Sequence, residues 1–133
     1  MTRLWMGKLR LTARGPADVG EVWARYTQPR RWAGWAPHLR EVQYPEGVIE
    51  PDTTGVVRGV GLAARFRIDS LDEEARTWAW TVRLGPLQVT FDHGVEEEPD
   101  GSCAWVVIHA PWPVVVVYAP IARYALGRLV AAS

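Results

Sequence analysis

Lysine is nearly missing from this chain: Lys8 is the only one among 15 basic side chains, the rest being arginine. Such a bias follows genome composition as readily as function. Cysteine is as scarce. Cys103 stands alone, which excludes an intrachain disulfide, and no CxxC or Cys/His cluster offers a zinc site. A surplus of charge is lacking too, since 15 basic residues balance 15 acidic ones. A nucleic-acid binder needs a basic surplus to displace counterions, and an anionic membrane surface attracts through the same surplus, so neither partner is expected. No Ser/His/Asp pattern, phosphate loop or dinucleotide fingerprint occurs, and no cofactor is expected. The N-terminus, Met1-Thr2-Arg3-Leu4-Trp5, runs into alternating polar and apolar residues without the core of a signal peptide, so the expected compartment is the cytoplasm.

A long uninterrupted apolar run is also wanting. Ala104 to Ala122 carries no Asp, Glu, Lys or Arg, but Pro111, Pro113 and Pro120 break it and His109 lies inside it. Each proline removes a donor and crowds the preceding turn, so the segment reads as a strand, a break and a helix, and stable membrane insertion is not expected.

Tryptophan is abundant. Eight occur in 133 residues, in a chain 48 % apolar and of a length that suits one domain over residues 1–133. Indoles are large rigid surfaces, suited to packing or to lining a cavity.

Residues 3–14 alternate like a strand, with Leu4, Met6, Lys8 and Arg10 against Trp5, Leu9 and Leu11, and a slip at Gly7-Lys8 predicts a β-bulge. Pro16-Ala17-Asp18 opens a helix with Val19, Val22, Trp23 and Tyr26 as its apolar stripe. A second short helix starts at Gln28-Pro29-Arg30-Arg31, places Trp32 and Trp35 on one face and stops at Pro37; those two rings are expected to pin it over the sheet edge. Strands are predicted at 38–46, 54–60, 62–72, 75–84, 87–97 and 101–110, separated by turn signals such as Asp72-Glu73-Glu74, Gly85-Pro86 and Pro99-Asp100-Gly101. Short connections imply antiparallel pairing. One face runs through Phe66 and Ile68, then Trp78, Trp80 and Val82, then Val89, Phe91, His93 and Val95, while Arg65, Arg67, Thr81, Arg83 and Asp92 take the other; this is a sheet with one buried and one wet face. The chain closes with a helix over 114–132, with Val114, Tyr118, Ile121, Ala125 and Ala132 on its inward side. At Pro120 it either kinks or begins.

Several segments carry a resemblance. Val22-Trp23, the stretch Pro29-Arg30-Arg31-Trp32-Ala33-Gly34-Trp35-Ala36-Pro37 leading into Val42, Asp69-Ser70-Leu71-Asp72 before an aromatic strand, Gly94 after His93, and Pro99-Asp100-Gly101-Ser102 before the last strand together resemble the START-like superfamily. This superfamily is also called SRPBCC or helix-grip, and the match is to its polyketide cyclase/dehydrase-like group. The resemblance covers nearly the whole chain, although each motif serves the fold. It implies an α+β helix-grip fold: a curved antiparallel sheet of about seven strands around a long C-terminal helix, with two short helices between the first two strands. It also implies a cavity between sheet and helix, which in relatives takes lipids, sterols, polyketides or plant hormones. The chain departs from the pattern where its last helix ends soon after Leu129-Val130.

The expected function is therefore binding of a small hydrophobic molecule, a lipid, a polyketide or an aromatic metabolite. Two alternatives stand beside it: a polyketide cyclase or dehydratase using an inward acid/base, and a protein-interaction module, for which a homodimer is an option. The expected ligand-binding residues are Phe66, Trp78, Trp80, Phe91, His93, Tyr118, Ile121 and Arg58. His93 and Tyr118 are the best catalytic candidates, because an inward imidazole titrates near neutral pH and a phenol can donate to a ligand oxygen. Each has a plainer reading, His93 as a core histidine and Tyr118 as a packed ring. Trp78 and Trp80 serve equally as a cavity floor or as core. Arg58 would meet a ligand carboxylate if it pointed inward, although most arginines stay in solvent. His38, His93 and His109 lack ligand spacing, so no metal is expected.

Overall fold

Seven strands pair antiparallel in the order β1-β7-β6-β5-β4-β3-β2, in a computed structural model that describes residues 6–45, 47–59 and 61–132. The strands are β1 (Met6–Gly15), β2 (Glu41–Gln43), β3 (Thr54–Gly59), β4 (Leu62–Asp72), β5 (Thr77–Leu84), β6 (Leu87–Glu98) and β7 (Gly101–Pro111). The helices are α1 (Val19–Thr27), α2 (Trp32–Trp35, preceded by a 3₁₀ turn at Pro29–Arg31) and α3 (Trp112–Leu129). The sheet curves, and the long C-terminal helix lies on its inner side with α1 and α2, as the sequence leads one to expect. The expected positions of Leu4, Trp5, Glu46 and Val60 fall outside the described residues. Among the described residues no helix is long and apolar enough to cross a membrane.

Alternation sets the two faces. On the inner one Leu11, Phe66, Ile68, Trp78, Phe91, His93, Val95, Ala104, Val106, Ile108 and Ala110 are buried. Register agrees, with Ile68 opposite Trp80, Trp80 opposite Phe91, and His93 opposite both Trp78 and Val106. The predicted bulge at Gly7-Lys8 is absent. β1 pairs with β7 without a break from Met6 opposite Pro111 to Gly15 opposite Ser102. Gly7 is there for another reason: a Cβ would stand 2.6 Å from the Trp112 ring, so only glycine lets that indole lie on the strand. The bulge occurs instead in β4, where register shifts between Ile68 and Ser70. An extra residue there bends the strand and moves Leu71 to the side of Trp78.

α1 begins at an Asp18 N-cap, whose carboxylate accepts from the Gly20 N–H at 2.9 Å. Its stripe of Val19, Val22 and Tyr26 is buried. Two indoles finish the helix, Trp32 Nε1 donating to the Tyr26 carbonyl at 2.8 Å and Trp35 Nε1 to the Arg25 carbonyl at 3.0 Å, and so satisfy acceptors that a helix end leaves open. Arg25 ties α1 to the far end of α3. Its guanidinium donates to the Leu129 and Ala131 carbonyls at 2.7 and 2.9 Å, and to Glu21 at 3.2 Å. A cation at a helix C-terminus is favourable against the helix dipole.

α3 runs unbroken through Pro120. The proline deletes one backbone donor but faces outward, where no packed neighbour is displaced. The helix starts two residues earlier than the sequence suggests, and its buried stripe is Val115, Ala122, Ala125, Leu126 and Leu129, with Tyr118 half-buried. Of the predicted stripe, Ala125 is buried and Val114 and Tyr118 pack against the core, while Ile121 and Ala132 are exposed. Residues 114, 118, 121 and 125 and residues 115, 118, 122 and 125 fit the helical period equally, and four consecutive valines give periodicity nothing to choose by.

Gly59 ends β3 beneath the loop before β2. A Cβ there would meet the His38 carbonyl oxygen at 1.9 Å. Gly59→Ala is expected to lower stability by about 2 kcal/mol, the usual scale for forced overpacking against backbone. Urea denaturation measures the change.

Candidate ligand cavity

Between the sheet and α3 lies a cavity walled mainly by rings: Trp32 from α2, Trp78 and Trp80 from β5, Phe91 and His93 from β6, and Tyr118 from α3. Among the described residues no Asp, Glu, Lys or Arg lines it. Its free space is about 50 Å³. One water needs roughly 10–15 Å³, and pockets for drug-sized ligands run to roughly 300–1,000 Å³. The rings therefore occupy most of the space between the layers.

Ring geometry shows how. His93 stacks on Trp78 with centroids 3.9 Å apart and planes 9° from parallel. Trp32 lies nearly parallel to Trp78 at 5.8 Å and edge-on to Trp80 at 5.1 Å. Tyr26 closes the other side, edge-on to His93 at 5.5 Å, with its hydroxyl donating to the Trp105 carbonyl at 2.9 Å. Burial pushes the Tyr26 and Tyr118 hydroxyls well above the ordinary phenol range, so both stay protonated.

The polar atoms of this cluster fall into two groups. Tyr118 Oη and His38 Nε2 are hydrogen-bonded at 2.9 Å, which fastens α3 to the loop between α2 and β2 across the cavity wall. The second group has no partner among the described residues. Trp78 Nε1, Trp80 Nε1, His93 Nδ1 and His38 Nδ1 are all buried without one. A buried donor left unmade costs about 1–3 kcal/mol, and native proteins carry only a few such groups per hundred residues. Here four belong to side chains lining one cavity. The indole N–H groups can be satisfied only by an acceptor.

Burial lowers the His93 pKa to about 3, a shift that contact with the Trp78 backbone only partly opposes. Its imidazole is neutral across the physiological range and weakly basic. His38 is lowered as well, again by burial.

The structure brings together five of the eight residues picked from sequence: Trp78, Trp80, Phe91, His93 and Tyr118. Phe66 is buried behind them, 5.0 Å from Trp80 and 5.5 Å from Trp32, and does not line the cavity. Two more expectations need correction. Ile121 is 38 % exposed, because the true stripe of α3 is turned away from it. Arg58 is exposed on β3, opposite Glu41 of β2; the alternation that buries Val57 sends Arg58 to the wet face. Sequence reasoning also missed Trp32 and His38. Trp32 is not at the sheet edge but 1 % exposed at the centre of the rings. Its spacing from Trp35 marked a helix face without showing how deep that face lies. His38, in a loop after Pro37, carried no pattern. His109, the third histidine, bonds Asp92 at 2.8 Å on the opposite face of the sheet. Among the described residues no group of three or more His, Cys, Asp or Glu side chains is arranged to hold a metal.

The family model described as polyketide cyclase / dehydrase and lipid transport matches residues 6–133. No curated protein matches the sequence. Among solved structures, the chain is similar to ginseng major latex-like protein 151 from Panax ginseng, with TM-score 0.78 and 14 % identity over 94 % of this chain and 95 % of that one. It is similar to Ara h 8.0201, with TM-score 0.71 and 18 % identity over 93 % and 97 %. It is also similar to a hypothetical protein from Helicobacter pylori, with TM-score 0.77 and 11 % identity over 94 % and 85 %. At these identities the likeness concerns the fold.

His93 makes stability depend on pH. The unfolded chain takes up a proton near pH 6.5, the folded one only near pH 3, so stability is complete above about pH 6.5 and falls as pH drops below it. The expected loss from this group is about 2 kcal/mol by pH 5, at about 1.4 kcal/mol per pH unit. Thermal or urea unfolding of wild type and His93→Phe at pH 7 and pH 5 measures it: the variant is expected to lose less on acidification.

Proposed function

Since the chain belongs to the polyketide cyclase / dehydrase and lipid transport family, one associated with hydrophobic ligands, we propose that it binds a small planar molecule, largely apolar but carrying hydrogen-bond acceptors, in the cavity between sheet and α3. One observation carries this reading: buried ring nitrogens of Trp78, Trp80, His93 and His38 that lack partners, on side chains lining an uncharged cavity. A carbonyl or ether oxygen reaching Trp78 or Trp80 would remove a desolvation penalty that the protein alone does not relieve. Stacking against the same indoles would hold the ligand's ring. This chemistry favours an aromatic metabolite over a saturated lipid, whose chain offers no acceptors. Entry requires the rings or α3 to move, and the Tyr118–His38 hydrogen bond is the fastening to be undone.

A second reading, cyclase or dehydratase chemistry, draws on that same pair. A phenol and an imidazole 2.9 Å apart beside an apolar cavity can pass a proton to or from a bound carbonyl compound. His93 is the weaker candidate for it, since a group titrating near pH 3 is a poor base at neutral pH.

Tryptophan fluorescence titrated with 1-indanone and with indane, equal in shape and differing by one carbonyl, tests the binding reading. Saturable quenching by 1-indanone is expected, with at least ~10-fold weaker binding of indane, the scale of one hydrogen bond to a buried donor. Equal affinity would remove the role given to the ring nitrogens, and no saturation by either compound would count against the cavity itself. For the second reading, Tyr118→Phe is expected to abolish turnover of a polyketide-like substrate while leaving its binding intact. Loss of both together would point to positioning only.

A further inference from the structure

On the side of the sheet away from the cavity, β4 and β5 set two arginines face to face. Arg65 stands directly opposite Arg83 in the register, with Val56 of β3 on one flank and Gln88 of β6 on the other. Both side chains are exposed, and among the described residues neither guanidinium has a hydrogen-bond or ion-pair partner. Like charges directly opposite on a sheet repel, with Cβ atoms only about 4.5–5.5 Å apart, so the pair costs stability. Other arginines of this face are matched. Arg67 is held by Asp52, Arg10 lies over the Trp105 ring, and Arg58 faces Glu41 across the β2–β3 pair. Arg65 and Arg83 border a hollow of about 610 Å³, which Arg67, Thr81 and Gln88 also line. Three arginines line it against a single carboxylate, Asp69, in a chain that is neutral as a whole. That carboxylate already accepts the Thr81 hydroxyl at 2.6 Å, and at the rise of a strand it lies roughly 13 Å along β4 from Arg65.

We propose that Arg65 and Arg83 form a further binding site, for a phosphate group, either free or carried by a small molecule. Two features select that ligand. The first is charge. A guanidinium pair with no carboxylate between its members presents two positive charges side by side, and one dianion answers both. A phosphate monoester carries about −1.5 to −2 charge at pH 7, whereas a carboxylate or a sulfate ester brings one. The second is shape. Each guanidinium is a planar fork of donors that matches two oxygens, and a phosphate monoester has three to share between two forks. Gln88, opposite Arg83, adds an amide that donates without charge. The site is open to water, where a single ion pair contributes little, so both arginines are needed. Binding turns the repulsion between them into a shared attraction, and the strain that the ligand-free sheet carries at this pair is relieved in the complex.

Titration of the full chain with phenyl phosphate and with phenyl sulfate at pH 7, followed through the Nε–H signals of Arg65 and Arg83 by NMR, tests the proposal. The two esters share a shape and differ by one charge. Saturable shifts with phenyl phosphate are expected, with at least ~10-fold weaker binding of the sulfate. Arg65→Gln and Arg83→Gln should each weaken phenyl phosphate binding by a similar factor, while Arg123→Gln, at an exposed position on α3, should leave it unchanged. Each substitution in the pair removes a repulsion, so both variants should keep a urea midpoint at or above that of wild type, which separates lost binding from lost folding. Inorganic phosphate identifies the source. Binding as tight as that of phenyl phosphate assigns the site to free phosphate, and weaker binding assigns it to a phosphate carried by an organic molecule. No saturation by phenyl phosphate, equal affinity for the sulfate, or a pair variant that binds like wild type overturns the proposal.

Discussion

The rest of the fold is arranged around Trp32. Its ring lies against Trp78, Trp80 and Phe66 at once, and its indole nitrogen finishes α1 by bonding the Tyr26 carbonyl. One side chain from a four-residue helix thereby sets the distance between the sheet and the helical layer. Helices as short as α2 have no stability of their own in water. Buried indole surface holds this one, and α2 in turn carries the loop that brings His38 to Tyr118. The fastening of α3 thus depends on packing some residues away from it.

Strand facing was legible in the sequence because period-two alternation leaves little choice, and the antiparallel pairing of consecutive strands because their connections are short. Shifting Trp78, Trp80, Phe91 or His93 to the other face would put large apolar surface into water and charged residues into the core. What was not legible was decided by contacts distant in sequence. Gly7 read as a bulge because glycine weakens a strand pattern, yet Trp112, which needs the space, lies more than a hundred residues away. The bulge in β4 hides in Asp69-Ser70, polar residues that fit an outer face in either register. The phase of α3 was ambiguous because both of its faces are apolar. Arg58 could have taken either side of a β3 that also holds Gly55, Val56 and Val57.

The candidate site was half legible for the same reason. Residues on regular strands could be assigned to a face, and four of them, Trp78, Trp80, Phe91 and His93, meet there. The hydrogen-bond pair crossing the cavity wall was not, since His38 belongs to a loop and Tyr118 was matched in sequence with His93. The cavity's chemistry follows from its burial: no charged side chain among the described residues lines it, burial lowers the pKa of its imidazoles, and its polar character is confined to a few ring nitrogens, four of them without a partner.

The space in this fold is stored as side-chain volume. Because Trp32, Trp78 and Trp80 fill what would otherwise be an open chamber, and because the backbone frame is held separately by strand register and by Arg25 at the end of α3, the chamber's size is adjustable one ring at a time. A lineage that exchanged an indole for a leucine would gain room for a larger guest at a cost in stability, without redesigning the sheet. The room left between sheet and helix is therefore a property of three or four side chains rather than of the backbone frame.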